Sequence, residues 1–264
     1  MINTIVLLGA GNVATHLGET LQQSGNRILQ VYSRTEKAAS ELAGKLGCEH
    51  TTNVKDLVPG ADLYILSVTD SAIEKIIKVF PFEDVLVAHT SGSTDVDVLK
   101  IKNIRPAVFY PLQTFSKDVK VDFSEVPLLI EAANDADLEK LKELAGSISS
   151  KVYTIDSKQR TILHIAAVFA CNFTNHMLSI AGDLLESNDM SFEILKPLIE
   201  ETVRKAAIAG PAKSQTGPAA RNDQRTIKLH SEMLSEVGDY QKIYNFITDS
   251  IISKRYSIGK KQDR

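Results

Sequence analysis

A chain of 264 residues with 43% hydrophobic and 24% charged residues has length enough for two compact domains and the composition of a globular protein, which excludes a disordered chain. The net charge of −3 hides an uneven split: residues 1–156 carry 15 Lys and Arg against 21 Asp and Glu, residues 157–264 carry 15 against 12, and so small a basic excess argues against a nucleic-acid partner. Cys48 and Cys171 stand far apart without metal-ligand spacing, no apolar run approaches the roughly 18 residues of a bilayer span, and the N-terminus has no signal-peptide pattern, so the expectation is a cytoplasmic protein with no metal site and no membrane partner.

The first predicted element is a strand over the apolar run 4–8. Gly9-Ala10-Gly11-Asn12-Val13-Ala14 follows it directly, and a helix over 11–24 keeps Val13, Leu17 and Leu21 on one side. In a G-x-G-x-x-A turn the first Gly permits the sharp bend, the second lets backbone approach a pyrophosphate, and the small third residue packs the helix close to the sheet. The N–H groups of Asn12, Val13 and Ala14 open that helix, where free donors and the positive end of the dipole favour phosphate. Such a pattern alone is weak, but between a first strand and a helix it predicts a dinucleotide loop rather than a plain turn.

The second strand, 28–32, runs into Ser33-Arg34-Thr35. An NAD site places an acid here to accept from the ribose hydroxyl, whereas a guanidinium between two hydroxyls suits a 2′-phosphate. The expected cofactor is therefore NADP rather than NAD. The alternative leaves Arg34 solvated and gives the ribose to Glu36. A helix over 35–46, a strand over 63–68, a helix over 71–79 and a strand over 85–89 continue the alternation, and the half ends with a strand at 127–130, a helix over 135–149 and a strand at 151–155. Strands apolar on both faces, alternating with helices, predict an α/β fold: a doubly wound, Rossmann-type parallel sheet over residues 1–156.

Ligands of such sheets sit beyond the carboxyl ends of the strands. Val68 and Thr69 close the 63–68 strand and are expected to offer backbone contacts to the cofactor, while Ser71 and Glu74 have the spacing of a capping box. His89-Thr90-Ser91-Gly92-Ser93 closes the next strand and gathers a His and three hydroxyls where a nicotinamide would lie.

After Asp156 the strand signal vanishes, and helices over 157–187, 191–209, 223–236 and 239–254 predict an all-helical domain over 157–264. His164, Asn172 and His176 sit within the first of these, one or two turns apart on nearly one side, and polar groups in so apolar a helix need partners. A long loop at 210–223 contains two Gly-Pro breaks and Arg221, which could clamp a carboxylate or phosphate or pair with Asp223, itself an expected N-cap.

Taken together, Gly9–Ala14, His89–Ser93, the Tyr110-Pro111-Leu112-Gln113-Thr114-Phe115 stretch, His164 through Asn172, and Thr216 through Asp223 resemble the family that joins a Rossmann-like domain to a domain of unknown function, DUF2520, in the wider group of 6-phosphogluconate dehydrogenase-like and pyrroline-5-carboxylate reductase-like proteins. The resemblance covers nearly the whole chain. It implies an NADP-binding domain, a helical domain that commonly forms a homodimer contact, and a cleft between them for a small-molecule substrate. In many dehydrogenases of the wider group a catalytic Lys stands four residues before an Asn; here that place is Val168, which has no proton to give. The expected scheme is hydride transfer to or from a small, anionic carbonyl, imine or hydroxy compound. In it His164 supplies the proton with His89 as its substitute, Ser91 and Asn172 hold the reacting atom, and Arg221 anchors an acidic group. The competing expectation is a nucleotide-binding sensor or partner-binding module that catalyses nothing.

Overall fold

The structure is a computed structural model that describes residues 1–116 and 119–262, with side chains as far as 254. It divides into two compact units, Met1–Asn172 and Phe173–Arg264. The division falls inside the long helix rather than at Asp156, because the opening turns of that helix belong to the sheet: the Ser157 hydroxyl donates to the Glu131 carboxylate at 2.8 Å, and Arg160 is fully buried.

The first unit runs β1 (Thr4–Leu8), α1 (Asn12–Gln23), β2 (Arg27–Tyr32), α2 (Glu36–Leu46), β3 (Glu49–Thr51), β4 (Leu63–Leu66), α3 (Asp70–Lys78), β5 (Leu86–His89), β6 (Arg105–Pro111), β7 (Leu128–Ala132), α4 (Asp135–Gly146), β8 (Val152–Thr154) and α5 (Ser157–Ala167). The strands form one sheet in the order β3-β2-β1-β4-β5-β6-β7-β8. This is the doubly wound sheet the sequence predicts. Two strands, β3 and β6, carry no sequence expectation. β3 is a three-residue polar edge, and β6 opens on Arg105-Pro106, where a Pro speaks against a ladder position. The sheet is also not wholly parallel, because β6 and β7 pair antiparallel. An antiparallel neighbour needs no helical crossover, and none is found among the described residues between them.

Alternate residues of the central strands enter opposite cores. Ile5, Leu7, Leu63 and Ile65 face one with Leu17 and Leu21 of α1, whereas Val6, Leu8, Tyr64 and Leu66 face the other with Ile73 and Ile77 of α3. Burial on both faces is why these strands are apolar throughout. α5 starts on a capping box: Asp156 accepts from the Gln159 N–H at 2.7 Å while the Gln159 side chain accepts from the Asp156 N–H at 3.1 Å.

The second unit is helical: α6 (Thr174–Glu186), α7 (Lys196–Ala209), α8 (Pro211–Ser214), α9 (Pro218–Arg221), α10 (Gln224–Met233) and α11 (Gly238–Gln262). The predicted loop at 210–223 contains two short helices. Each follows a glycine at positive φ, Gly210 at 83° and Gly217 at 98°, and each takes a Pro at its first position, where the missing N–H is not needed. Asp223 caps α10 as expected, accepting from the Thr226 N–H at 3.1 Å. Between α5 and α6 the segment Val168–Phe173 is a π-helix, so Ser157–Glu186 is one helical run with a widened turn. That run is long and apolar enough to cross a membrane, contrary to the sequence expectation, and its side chains Ile162, Ile165 and Phe169 are exposed.

Candidate functional site

A cleft of about 730 Å³ opens at the carboxyl ends of β1, β2, β4, β5 and β6, where the strand order reverses direction between β1 and β4. Its floor is the turn after β1. Gly9 has φ +128°, donates its N–H to the Tyr32 carbonyl at 2.7 Å, and lies so close to β4 that an added Cβ would sit 2.0 Å from the Ser67 carbonyl oxygen. An added Cβ on Gly11 would meet nothing within 4 Å, so this face of the turn is open to the cleft. α1 has no side-chain cap at Gly11 and no acidic residue in its first turn, which leaves its N–H groups and positive dipole end to a ligand. Asn12 and Val13 line the cleft, and Ala14 is buried against the sheet.

Ser33 and Arg34 line the cleft at the end of β2, as do Val68 and Thr69 beyond β4. Thr35 does not; it is the N-cap residue of α2. The alternative ribose partner is engaged elsewhere, since the Glu36 carboxylate lies 2.6 Å from His50 Nε2. The side chains present therefore fit a dinucleotide carrying an extra phosphate: an open, side-chain-free turn at a bare helix N-terminus, with a guanidinium and a hydroxyl beside it. Asn12 also donates to the Phe115 carbonyl at 2.7 Å, and His16 Nε2 to the Ser116 carbonyl at 2.9 Å, so α1 holds the segment after β6 as one wall.

His164 on α5 is half-buried and lines the same cleft, with its Nδ1 3.1 Å from the Tyr110 hydroxyl at the end of β6. Gly92 packs beneath the pair: an added Cβ would lie 2.4 Å from His164 Nδ1 and 2.9 Å from Tyr110 Cζ. Tyr110 is a site residue that the strand pattern of the sequence missed, although it opens the 110–115 stretch of the family resemblance. Burial raises the Tyr110 pKa, with the Arg160 guanidinium pulling the other way, so the phenol keeps its proton at neutral pH.

Ser91 lines the cleft too, but its Oγ donates to Thr94 Oγ1 at 2.9 Å and accepts from the Ser93 and Thr94 N–H groups at 3.2 and 2.9 Å. A hydroxyl has one proton and two lone pairs, and all are used within its own loop. Ser91 shapes the loop instead of holding a reacting atom. The expected Ser71–Glu74 capping box is absent as well. Glu74 pairs with Lys78 at 2.6 Å, and Asp70 turns to the Ser93 hydroxyl at 2.5 Å.

His89 is a correction to the sequence reading. It is fully buried and outside the cleft lining, where its Nδ1 accepts the Ser91 N–H at 3.2 Å and its Nε2 has no partner among the described residues. Burial, seconded by the Arg160 charge, pushes its pKa from 6.5 down to about 4. A neutral, enclosed imidazole cannot stand in for His164. Because the folded-state pKa lies below the unfolded one, the unfolded chain takes up the extra proton, and stability falls as pH drops through this window. Between pH 7 and about pH 4.5 the wild type is expected to lose about 2–3 kcal/mol more than His89→Asn, measured by urea unfolding. Equal losses would show that His89 is not held neutral.

Asn172 is a second correction: it is exposed and outside the cleft lining. The widened π-helical turn at Val168–Phe173 lies between His164 and Asn172. His176 is exposed on α6. Arg221, in the second unit, is exposed at the end of α9; the neighbouring Asp223 carboxylate is held below its ordinary range by its hydrogen bonds with Thr226 and, less, by the charges of Arg221 and Arg225.

Residues 4–90 match the family model described as NADP oxidoreductase coenzyme F420-dependent, and residues 126–251 match DUF2520, a domain of unknown function. Among solved structures, the chain is similar to one described as a "putative NADP oxidoreductase" from Bacteroides fragilis, at 44% identity over 96% of this chain and 98% of that one with a TM-score of 0.89. It also shares the fold of a reductive aminase from Aspergillus terreus, solved with NADPH and ethyl-5-oxohexanoate (13% identity, 96% and 95% covered, TM-score 0.72). An imine reductase from Myxococcus stipitatus, solved with NADP+, shares it as well (17% identity, 97% and 94% covered, TM-score 0.64). No curated protein matches the chain.

Proposed function

This chain belongs to the family that joins an NADP-oxidoreductase nucleotide domain to DUF2520, and on that premise we propose that it is an NADP-dependent oxidoreductase of a small carbonyl, imine or hydroxy compound. The observation that carries the reading is a single cleft lined both by the Gly9–Val13 turn with Arg34 and by His164. The bound nicotinamide supplies or accepts the hydride. The turn and the first N–H groups of α1 receive the pyrophosphate, Ser33 and Arg34 receive the 2′-phosphate, and Val68 and Thr69 offer backbone contacts. His164 exchanges the proton that accompanies the hydride. Imines enter the reading from the reductive aminase and imine reductase that share the fold.

Arg34 is the single Lys or Arg side chain among the described residues lining this cleft. A homodimer through the helical unit completes the reading, because Leu198, Val203, Ile208, Met233 and Phe246 leave large apolar side chains in water. Sedimentation equilibrium should return twice the mass of one chain.

The test is loss of NADPH fluorescence with a panel of small ketoacids, ketones and cyclic imines, and its gain from NADP+ with hydroxy acids. Substrate-dependent turnover is expected. Tight nucleotide binding with no turnover across the panel would leave a nucleotide-binding module in its place. Arg34→Ala should weaken NADPH binding about 10- to 100-fold while leaving NADH binding unchanged, since only the charge-assisted contact to the extra phosphate is removed. Equal losses for both coenzymes would take Arg34 off the 2′-phosphate.

A further inference from the structure

We propose that Tyr110 is the group that hands the proton to the reacting oxygen or nitrogen, and that His164 acts through it, restoring the phenol from Nδ1. The inference rests on the oxidoreductase reading above and names the route within it.

The geometry is the warrant. His164 Nδ1 lies 3.1 Å from the phenol oxygen, and the rings meet edge to face at 70° with centroids 6.1 Å apart. The same nitrogen is walled by Gly92, whose added Cβ would fall 2.4 Å from Nδ1 and 2.7 Å from Cγ of the ring. With backbone on one side and the phenol on the other, Nδ1 has no room for a substrate atom. Tyr110, in contrast, lines the cleft beside Ser91 and Thr90, and no other hydrogen bond reaches its hydroxyl among the described residues.

The phenol suits the task chemically. Burial keeps it protonated, while the buried guanidinium of Arg160 favours the phenolate formed for a moment after transfer and Asp70 disfavours it. Once a carbonyl or imine carbon had gained hydride, its π-electron pair would stand on oxygen or nitrogen. That atom takes the phenolic proton as the Tyr110 O–H bond breaks. The phenolate then takes the Nδ1 proton of His164 as the ring takes a proton from solvent at Nε2, and the imidazole regains its first tautomer by exchange with solvent once product has left. One hydride and one proton enter the product, and both side chains end as they began. For hydroxy-acid oxidation the sequence runs in reverse.

The experiment compares Tyr110→Phe, His164→Ala and Gly92→Ala with the wild-type protein in pre-steady-state NADPH oxidation, on a substrate that the wild type turns over. The proposal expects Tyr110→Phe to slow the first turnover by about 10²- to 10⁴-fold with NADPH affinity unchanged. His164→Ala should keep a first turnover close to wild type and slow only the later ones, because its phenol carries one proton already. The reverse pattern, with no burst in His164→Ala and a full burst in Tyr110→Phe, would overturn it and return direct donation to His164. A readout independent of turnover is the ¹⁵N shift of His164 Nδ1 in the free protein. It should move in Tyr110→Phe, and also in Gly92→Ala, where the methyl group parts the pair without removing either residue. An unmoved shift in both variants would mean that the contact is not formed in solution. Absence of any wild-type turnover would sink the oxidoreductase reading itself, and the nitrogen shifts would still decide the pair.

Discussion

Gly9→Ala is expected to destabilise the first unit by about 2–6 kcal/mol and to abolish nucleotide binding. A φ of +128° is outside what an L-residue adopts without strain, about 1–3 kcal/mol, and the methyl group would stand 2.0 Å from the Ser67 carbonyl oxygen and 2.6 Å from its carbon, an overpacking worth about 1–3 kcal/mol more. Neither contact can yield cheaply. Gly9 is held to β2 through the Tyr32 carbonyl, and Ser67 donates its own N–H to Leu8 at 2.7 Å, so relief requires the ends of three strands to part. Measured against a total stability of about 5–15 kcal/mol, the loss is large. Gly11→Ala is the control. Its φ is −83° and its added methyl meets nothing, so the thermal midpoint should stay at the wild-type value while NADPH affinity falls, because the methyl occupies the open face of the turn. Thermal melts with and without NADPH check both, and a Gly9→Ala protein that melts like wild type would refute the argument.

The second large effect is expected at Arg160, which no sequence pattern singled out. Its side chain is enclosed, yet its charge is answered: Nη1 bonds to the Glu131 carboxylate of β7, and Nη2 donates to the Thr94 carbonyl at 2.5 Å and to Ser157 Oγ at 3.0 Å. Ser157 in turn donates to Glu131 and accepts from the Val96 N–H at 3.0 Å. One ion pair therefore ties the helix of His164 to the loop of Ser91 and to the sheet. Arg160→Met leaves the largely buried Glu131 without a countercharge, with only the Ser157 hydroxyl donating to it, a cost of about 3–5 kcal/mol, and the melting temperature should fall by about 6–20 °C. Arg160→Met combined with Glu131→Leu should recover most of that loss, since it removes the stranded charge along with the pair. If the double variant were as unstable as the single one, the packing of the arginine stem would be the cause instead of its charge.

How far the sequence reached differs by element. The Gly9–Ala14 turn was legible because its requirements are local: a strand that ends, a residue at positive φ, a helix that begins. Arg34 was legible for the same reason, and the Asp223 cap lies three residues from the N–H it receives. β6 was hidden by its Pro106, and with it Tyr110. The assignment of Ser91 failed because the sequence displays a hydroxyl but not the two N–H groups that its own loop turns onto it.

What the sequence determined by itself is whatever is decided within about one turn or one strand: the alternation of elements, the glycine bend at the cleft floor, and the sign of charge at the end of β2. Only the tertiary structure decided that His89 lies sealed in the interior, that Asn172 stands outside the cleft that His164 lines, and that Tyr110 meets His164 across 54 residues of chain. The reason is physical. Backbone sterics and capping act between neighbours, whereas the burial of a side chain and the partner of a polar atom depend on which distant segments the packed core brings against it.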